Sequence, residues 1–451
     1  MKSKILIVLI LSYLGMQKCY ADDLIIAAPG IYVLGDSIVS LPTAASNVIS
    51  VQSSDVVLDL GGYVVSLGNA QAGVIGININ ANLTDIVIQN GTVRSMTGTG
   101  ILINSGCARL RMNNIIMENV NGSAVLASGA AASTINDIEL RQSRFFNCGT
   151  TGVTNIIAFS NCSRLQMSDC IIANTINTTG TLNAILVNQS TMCDFTNITI
   201  QNIATPSGGF NGIAETTNNN SAFAGITIRN NIANGPLTCF SLSSSNNIYS
   251  GCLATGNVAS AGPFSGVLVS GATSLNNLFS NVNFISNTAN QLNSINAAFN
   301  IGSAQQTLLD CNALALNTSL AVSTTNLGYL LTANNQIIVR CIGSNISSTA
   351  GTASAGQGLN ANATNTSVIV DCLFSKNTGS TTASGKAVNV ISGANNLFAR
   401  NIGFVCDTSG TGQATQFRNV PAGSVITTLA SPQTSNLNST TLPWSNLSLG
   451  S

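Results

Sequence analysis

A short alternation of polar and apolar positions recurs along almost the whole chain. Each copy opens on a polar residue or glycine, continues with an apolar residue and, after one variable position, closes in most cases on a second apolar residue. The copies begin at Asp55, Asp85, Arg109, Asp137, Arg164, Asn197, Gly225, Asn247, Asn277, Thr307, Gln336, Ser367 and Asn396, about 28 residues apart on average. Alternation with a period of two predicts short, half-buried β-strands. A recurring interval of this length predicts a repeat architecture.

Two further apolar segments accompany each copy, one before it (as at 73–77, 184–187 and 266–269) and one after it, which usually ends on Asn (as at 115–119, 284–287 and 374–377). Three short strands per repeat and no helix predict an all-β fold. We therefore expect a right-handed parallel β-helix solenoid of about 13 to 14 coils, each of roughly 28 residues with three strands. Leucine-rich repeats need a Leu and Asn/Cys consensus that is missing here, and propeller blades need more hairpin signals than the chain contains.

Stacking gives the polar opening residues a physical role. Successive coils lie about 4.8 Å apart, so each position meets its counterpart in the coils above and below. Asp85, Arg109, Asp137 and Arg164 then form a column of alternating charge, preceded by Asp55. We interpret this column as a stabilising ladder. The alternative, calcium binding by the aspartates, conflicts with the arginines that would lie among them. Asparagines at bends are expected to stack as well, because Asn tolerates left-handed backbone angles.

Several cysteines follow the second strand of their repeat, namely Cys170, Cys252, Cys311, Cys341 and Cys372. Cysteine is a small and frequently buried side chain, so a column of apolar core residues is the favoured interpretation. Metal binding or disulfides between coils are the alternatives, since the coil spacing is within the reach of a disulfide. Histidine is absent and no Cys-x-x-Cys occurs, which argues against the commonest zinc and copper sites.

Composition narrows the class of partner. Hydrophobic residues make up 45% of the chain and charged residues 7%, with a formal net charge of zero. This composition argues against disorder and against nucleic-acid binding, which needs a basic surface. The first residues resemble a secretory signal peptide: Lys2 and Lys4 precede an apolar stretch at 5–14, and Ala21 is suited to cleavage. No later stretch is apolar over the length of a transmembrane helix.

These features divide the chain into four segments. Residues 1–21 are the predicted signal peptide, 22–46 an N-terminal cap and lead-in strand, 47–420 the β-helix, and 421–451 a C-terminal cap or tail rich in Ser and Thr. We expect the protein to be secreted or extracytoplasmic, in a periplasm or at a cell surface. Asn-x-Ser/Thr sequons at Asn82, Asn121, Asn345 and Asn362 would be glycan acceptors only in a eukaryotic secretory pathway.

The chain resembles the pectin lyase-like superfamily of right-handed parallel β-helices, including its bacterial exported repeat proteins of unassigned role. The segments that carry the resemblance are 29–34 (Pro-Gly-Ile-Tyr-Val-Leu) and 55–63 (Asp-Val-Val-Leu-Asp-Leu-Gly-Gly-Tyr), which looks like a first-coil signature. It extends over about residues 24 to 420. Enzymes of this superfamily use paired aspartates, a calcium-binding acid cluster, or a histidine with a basic residue, and none of these sets maps onto this sequence.

One acidic pair is a candidate for catalysis. Asp310 and Asp371 precede cysteines at equivalent places two coils apart, with Arg340 at the matching place between them. Glycoside hydrolysis requires two carboxylates across a substrate, whereas the intervening arginine suggests another salt-bridge ladder. We predict no catalytic, cofactor or metal site and no cofactor. The favoured function is a non-enzymatic binding module for carbohydrate or a surface protein. A polysaccharide lyase or glycoside hydrolase and a structural spacer are the alternatives.

Overall fold

The computed structural model describes residues 24–404 apart from 43, 151, 272–273, 292–293, 319–324, 349–354, 363, 380–385 and 391–395, together with three short strands beyond residue 404. Strands, turns, bends and irregular segments make up the described residues, and no helix occurs among them, which confirms the predicted all-β class. In this part of the chain nothing forms a helix that could cross a membrane. The predicted signal peptide, 1–21, and most of 421–451 lie outside the described residues.

The chain divides into two compact units. The first unit comprises Met1–Ser207 and Thr216–Ser221, and the second comprises Gly208–Glu215 and Ala222–Ser451. Each unit is a parallel β-solenoid with three sheets, so the predicted solenoid is confirmed. Among the described residues the solenoid makes about 12 turns, roughly matching the 13 to 14 expected.

The first unit begins with three strands that already pair with the following coil, at Leu24–Ile26, Gly30–Val33 and Ile38–Ser40. Its first sheet continues with Asn47–Val51, Ile75–Ile79, Ile101–Ile103, Val125–Ser128, Asn155–Ser160 and Leu182–Asn188. Its second sheet continues with Val56–Asp59, Thr84–Arg94, Ala108–Val120, Ile135–Arg141, Cys162–Ser168 and Asp194–Thr196. Its third sheet continues with Val64–Leu67, the later parts of Thr84–Arg94 and Ala108–Val120, then Arg144–Cys148, Ile171–Ala173 and Thr199–Gln201. A two-residue strand, Ala204–Thr205, follows.

The second unit repeats the arrangement. Its first sheet contains part of Phe210–Asn219, then Leu237–Ser245, Phe264–Val269, Ile295–Ile301, Thr325–Leu331, Ala355–Ala361, Lys386–Val390 and Phe417–Arg418. Its second sheet contains Ala222–Ala224, Ile248–Ser250, Leu278–Ser280, Thr307–Leu309, Ile337–Val339, Val368–Val370, Leu397–Ala399 and Val425–Ile426. Its third sheet contains Thr227–Arg229, Leu253–Thr255, Asn283–Ile285, Asn312–Leu314, Ile342–Ser344, Leu373–Ser375, Ile402–Phe404 and Leu447–Leu449. The short strands Ile232–Ala233, Val258–Ala259 and Thr288–Ala289 form a fourth, small sheet.

Side chains of the same type stack on one another inside each coil. In the second sheet of the first unit, Ile86 pairs with Leu110, and Leu110 pairs with Ile138. These three side chains are buried. Parallel pairing places each inward side chain directly above its counterpart in the next coil. Every second position along a strand therefore belongs to a continuous, buried apolar column. The expectation that residues of successive repeats become vertical neighbours is confirmed.

The polar residues that open the early copies occupy left-handed backbone corners. Asp85, Arg109, Asp137 and Arg164 have φ values of 61°, 55°, 55° and 55°. Left-handed angles disfavour β-branched and bulky apolar side chains, which explains why the openers are polar. Asparagines at such corners bond along the stack as predicted: the Asn114 amide donates to Asn90 over 3.2 Å, and that of Asn202 donates to Asn174 over 3.2 Å.

Two features of the sequence pattern were assigned wrongly. The copies at Asn197 and Gly225 lie on the third sheet, because Thr199–Gln201 pairs with Ile171–Ala173 and Thr227–Arg229 with Leu253–Thr255. From Asn247 onward the inward position is mostly shifted by one residue. Tyr249 is buried and Ile248 points outward, and the same holds at Phe279 and Leu278. Each coil contains more than one polar-then-apolar corner, so periodicity alone cannot distinguish the sheets.

Candidate functional site

An open groove follows the outer face of the second sheet in the first unit. Residues on or directly beside five neighbouring strands line it, namely 84–94, 108–120, 135–141, 162–168 and 194–196. The outward positions in register are Val87, Arg111, Glu139, Gln166 and Asp194. Val87, Arg111, Glu139 and Gln166 are variable positions of the repeated pattern, so the sequence indicated their outward direction although it did not identify a groove. Asp194 lies outside every copy of the pattern and was not indicated by it. The groove has a volume of about 630 Å³.

The predicted charge column forms one wall of this groove. The Arg109 guanidinium donates two hydrogen bonds to Asp85, at 2.7 and 2.6 Å, and the Arg164 guanidinium donates two to Asp137, at 2.5 and 2.8 Å. The bond from Arg109 lowers the pKa of Asp85 to about 2. The bond from Arg164 likewise lowers the pKa of Asp137. The column is therefore an ion-pair ladder, as predicted, and arginine occupies the space beside both aspartates.

A second set of charges lies on the floor of the groove. Glu139 forms ion pairs with Arg111, over 3.3 Å, and with Arg141. Arg111 remains 71% exposed at its side chain. An adjoining depression of about 600 Å³ is lined by Gln89, Asn113 and the same charged residues. The whole lining contains four arginines and four carboxylates: Arg109, Arg111, Arg141, Arg164, Asp85, Asp137, Glu139 and Asp194.

This arrangement offers many hydrogen-bonding groups with balanced charge. Arginine forks donate in a fixed plane, and carboxylate and amide oxygens accept. General acid catalysis by Asp85 or Asp137 is disfavoured, because a lowered pKa keeps both carboxyl groups ionised near neutral pH. Among the described residues, no group of three or more Cys, Asp or Glu side chains is placed to hold a metal ion.

The acidic pair considered for catalysis belongs to a ladder in the second unit. Arg340 donates two hydrogen bonds to Asp310, each of 2.7 Å. Asp371 accepts two hydrogen bonds of 2.5 Å from Arg400, a residue that the sequence argument did not include. The arginines lower the pKa values of both aspartates. The salt-bridge interpretation of this column is confirmed.

The cysteines at the strand ends are buried thiols. Cys170, Cys252, Cys311, Cys341 and Cys372 are each at most 1% exposed. Each thiol lies close to two backbone carbonyls, one two residues earlier and one in the preceding coil. Burial raises the pKa of Cys170 to about 12 and that of Cys252 to about 11. These thiols act as small core residues, in agreement with the favoured interpretation.

A buried carboxylate in the second unit was not found from the sequence. Glu215 is 2% exposed and accepts hydrogen bonds from Tyr249, from Ser244 over 2.8 Å and from Asn247 over 3.2 Å. Burial and the neighbouring Glu215 raise the pKa of Tyr249 well above 10, so its hydroxyl remains a donor. The donors lie 29 to 34 residues later in the chain, so only the stacking reveals them. Of the sequons, Asn82, Asn121 and Asn345 are exposed and Asn362 is half-buried.

Three parallel sheets wound coil upon coil define the class: the fold is a parallel β-helix. No protein-family model matches the chain, and no curated protein matches its sequence. A tailspike protein of E. coli bacteriophage HK620, solved with a pentasaccharide, is similar with a TM-score of 0.41 and 12% identity, covering 77% of this chain and 69% of that chain.

Two enzyme structures are similar as well. The A-module of a mannuronan C-5 epimerase from Azotobacter vinelandii has a TM-score of 0.37 and 11% identity, covering 88% of each chain. A mannuronic acid specific polysaccharide family 6 lyase from human gut microbiota has a TM-score of 0.32 and 10% identity, covering 72% of this chain and 80% of that chain.

Proposed function

We propose that the chain is an exported, non-enzymatic module that binds an extended polysaccharide in the groove of the first unit. The observation that carries this proposal is the outward column Arg111, Glu139, Gln166 and Asp194, which presents a polar side chain at every coil. A surface that repeats about every 4.8 Å suits a ligand that is itself a repeating chain.

The chemistry of the lining favours hydroxyl groups as ligands. Arg111 and Gln166 are exposed donors, and Glu139 and Asp194 supply acceptors on the same column. A sugar hydroxyl both donates and accepts, so neighbouring hydroxyls can bridge such mixed positions. Because positive and negative groups are equal in number, neither a strongly acidic nor a strongly basic polymer is preferred on charge alone.

Export is part of the same proposal. Lys2 and Lys4, the apolar stretch at 5–14 and Ala21 have the order of a signal peptide. Removal of residues 1–21 would also remove Lys18 and leave the chain about three units negative. Cell fractionation with an antibody to the mature chain tests this part. Recovery in the cytoplasm with residues 1–21 intact would refute export.

Binding is tested by titrating the mature chain, 22–451, against a panel of neutral and uronate polysaccharides in a calorimeter. Arg111→Ala should weaken binding about tenfold, the loss of one or two hydrogen bonds from a charged group, and Gln166→Ala, which removes a neutral donor, should weaken it by a smaller factor. Arg229→Ala is the matched control, because Arg229 is an exposed arginine in the second unit, and it should leave affinity unchanged. Absence of binding across the panel would favour the structural spacer.

One observation favours an enzyme as the second candidate. Glu139 and Asp194 lie on the same outward column, with Gln166 between them. Two coils correspond to roughly 10 Å, near the upper end of the separation of about 6.5 to 9.5 Å used by inverting glycosidases. Release of reducing ends from a bound polysaccharide, abolished in Glu139→Gln while binding persists, would establish hydrolysis and overturn the non-enzymatic part of the proposal.

A further inference from the structure

The second unit exposes an apolar sheet face that the groove does not use. It consists of outward side chains on four successive strands of the second sheet, defined here as the apolar face: Leu309, Ile337, Val339, Val368, Val370 and Leu397. Ile337 and Leu397 are 42% and 39% exposed, and the other four side chains are half-buried. The equivalent columns of the first unit contain Arg111, Glu139 and Arg141 instead. Contiguous exposed apolar side chains are characteristic of interaction sites.

One edge of the apolar face is bordered by an alternating charge ladder. Its members directly follow the strands of the face and are, in stacking order, Asp310, Arg340, Asp371 and Arg400, with φ values of 53°, 53°, 57° and 52°. The order of signs along the stack is therefore minus, plus, minus, plus. When this order is read in the opposite direction it becomes plus, minus, plus, minus, so the ladder is complementary to its own reversed copy.

We infer that the apolar face binds the same face of a second copy of this chain, with the two stacks antiparallel. The two-fold axis runs along the strand direction, between strands Ile337–Val339 and Val368–Val370. This axis places Asp310 of one copy opposite Arg400 of the other, and Arg340 opposite Asp371. A two-fold interface uses the same patch on both copies, which a self-complementary ladder permits.

The ladder favours antiparallel over parallel stacks. Parallel stacks would need a two-fold axis along the stack, which reverses the strand direction and places the two ladders at opposite edges of the interface, where their charges cannot pair. The existing bonds within one copy do not prevent antiparallel pairing, because a guanidinium donates up to five hydrogen bonds and a carboxylate accepts about four. The apolar face is smaller than a standard interface, so the dimer is weak and forms with increasing concentration.

The ladder allows a test that conserves composition. The double variant Asp371→Arg/Arg400→Asp changes the order of signs to minus, plus, plus, minus. The double variant Asp310→Arg/Arg340→Asp changes it to plus, minus, minus, plus. Each variant keeps the net charge and keeps both bonded pairs within the chain, yet each faces like charges when it meets its own antiparallel copy. The two variants are complementary to one another.

Sedimentation velocity on the full mature chain over a range of concentrations is the measurement. Wild type should dimerise, each double variant alone should remain monomeric, and an equimolar mixture of the two should dimerise again. Val368→Thr should weaken the wild-type dimer through the apolar face, and circular dichroism verifies that every variant is folded. A monomeric wild type, double variants that dimerise as wild type does, or a mixture that remains monomeric would each overturn the inference.

Discussion

At the scale of single residues, the left-handed corners decide where charge can be placed. The side chain of a corner residue points outward, beside the corner side chains of the neighbouring coils. Asp85 and Arg109 therefore form an ion pair without needing a specific turn sequence. Both side chains are largely exposed, so the pairs contribute little to stability and are screened by salt. Their main effect is to fix the positions of charges along the groove wall.

The Asp85 pair predicts a pH dependence of stability. The pKa of Asp85 is lowered to about 2 in the folded chain, against about 3.9 in an unfolded one. The stabilisation that ionised Asp85 contributes is therefore complete above about pH 4 and is lost as the pH falls towards about 2. The difference in Tm between wild type and Asp85→Asn should be constant near neutral pH and should shrink over that acidic range.

Arg109→Gln provides the control, since it removes the cation that lowers the pKa of Asp85. Thermal unfolding at a series of pH values should show the same weakened acid dependence for Arg109→Gln as for Asp85→Asn. A difference between Asp85→Asn and wild type that persists unchanged down to about pH 2 would contradict the assignment.

At the scale of strands and corners, buried amides connect one coil to the next. Asn257 is fully buried; its side-chain amide donates to the Ile228 carbonyl over 2.9 Å and to Asn287 over 3.0 Å, and its oxygen accepts from Asn231 over 2.9 Å. These hydrogen bonds satisfy polar groups that are shielded from water. Losing one of them therefore lowers the stability of the fold more than losing an exposed hydrogen bond does.

Asn257→Ala should lower the free energy of unfolding by about 2 to 3 kcal/mol, because buried polar groups lose their partner. Asn276→Gly is the control. The Asn276 side chain donates an exposed hydrogen bond of 3.3 Å to Asn246, and the φ of 57° at Asn276 suits glycine, so a change within about 0.5 kcal/mol is expected. Urea unfolding of both variants measures the difference. Equal effects would show that the interior amides do not stabilise the stack.

The sequence predicts the strands and corners well because both depend on local residue types. It predicts the facing of a strand poorly where two apolar residues are adjacent, as at Ile248 and Tyr249, since either register satisfies the alternation. The structure buries the aromatic ring, and Tyr249 stacks on Phe223 and Phe279 with ring centroids 4.9 Å apart in both cases. The larger buried area of an aromatic side chain explains this choice.

The groove was only partly predictable, because the register between strands cannot be read from the sequence. The alternation of Asp85, Arg109, Asp137 and Arg164 was visible along the chain, whereas the pairing of Glu139 with Arg111 and Arg141 depends on strand register. Glu215 could not be found at all, because its partners on strand Leu237–Ser245 and beyond are brought to it only by the winding of the coil.

At the scale of the whole molecule, stacking replaces a closed globular core. Long-range order comes from contacts between residues one coil apart, so surfaces are columns of equivalent positions rather than isolated pockets. The first unit uses its columns for a polar groove and the second for an apolar face with a charge ladder. Both functional proposals therefore depend on the same structural claim, that residues one repeat apart are vertical neighbours.

Disulfide trapping tests that claim most directly. Ser168 pairs with Thr196 in the next coil, and Arg141 is one coil further from Thr196. In Ser168→Cys/Thr196→Cys the Cα atoms are about 4.8 Å apart, so mild oxidation of the folded chain should form a disulfide detectable by peptide mass spectrometry. Arg141→Cys/Thr196→Cys, at roughly twice that distance, should not. Cross-linking of the second pair in preference to the first would contradict the stacked fold.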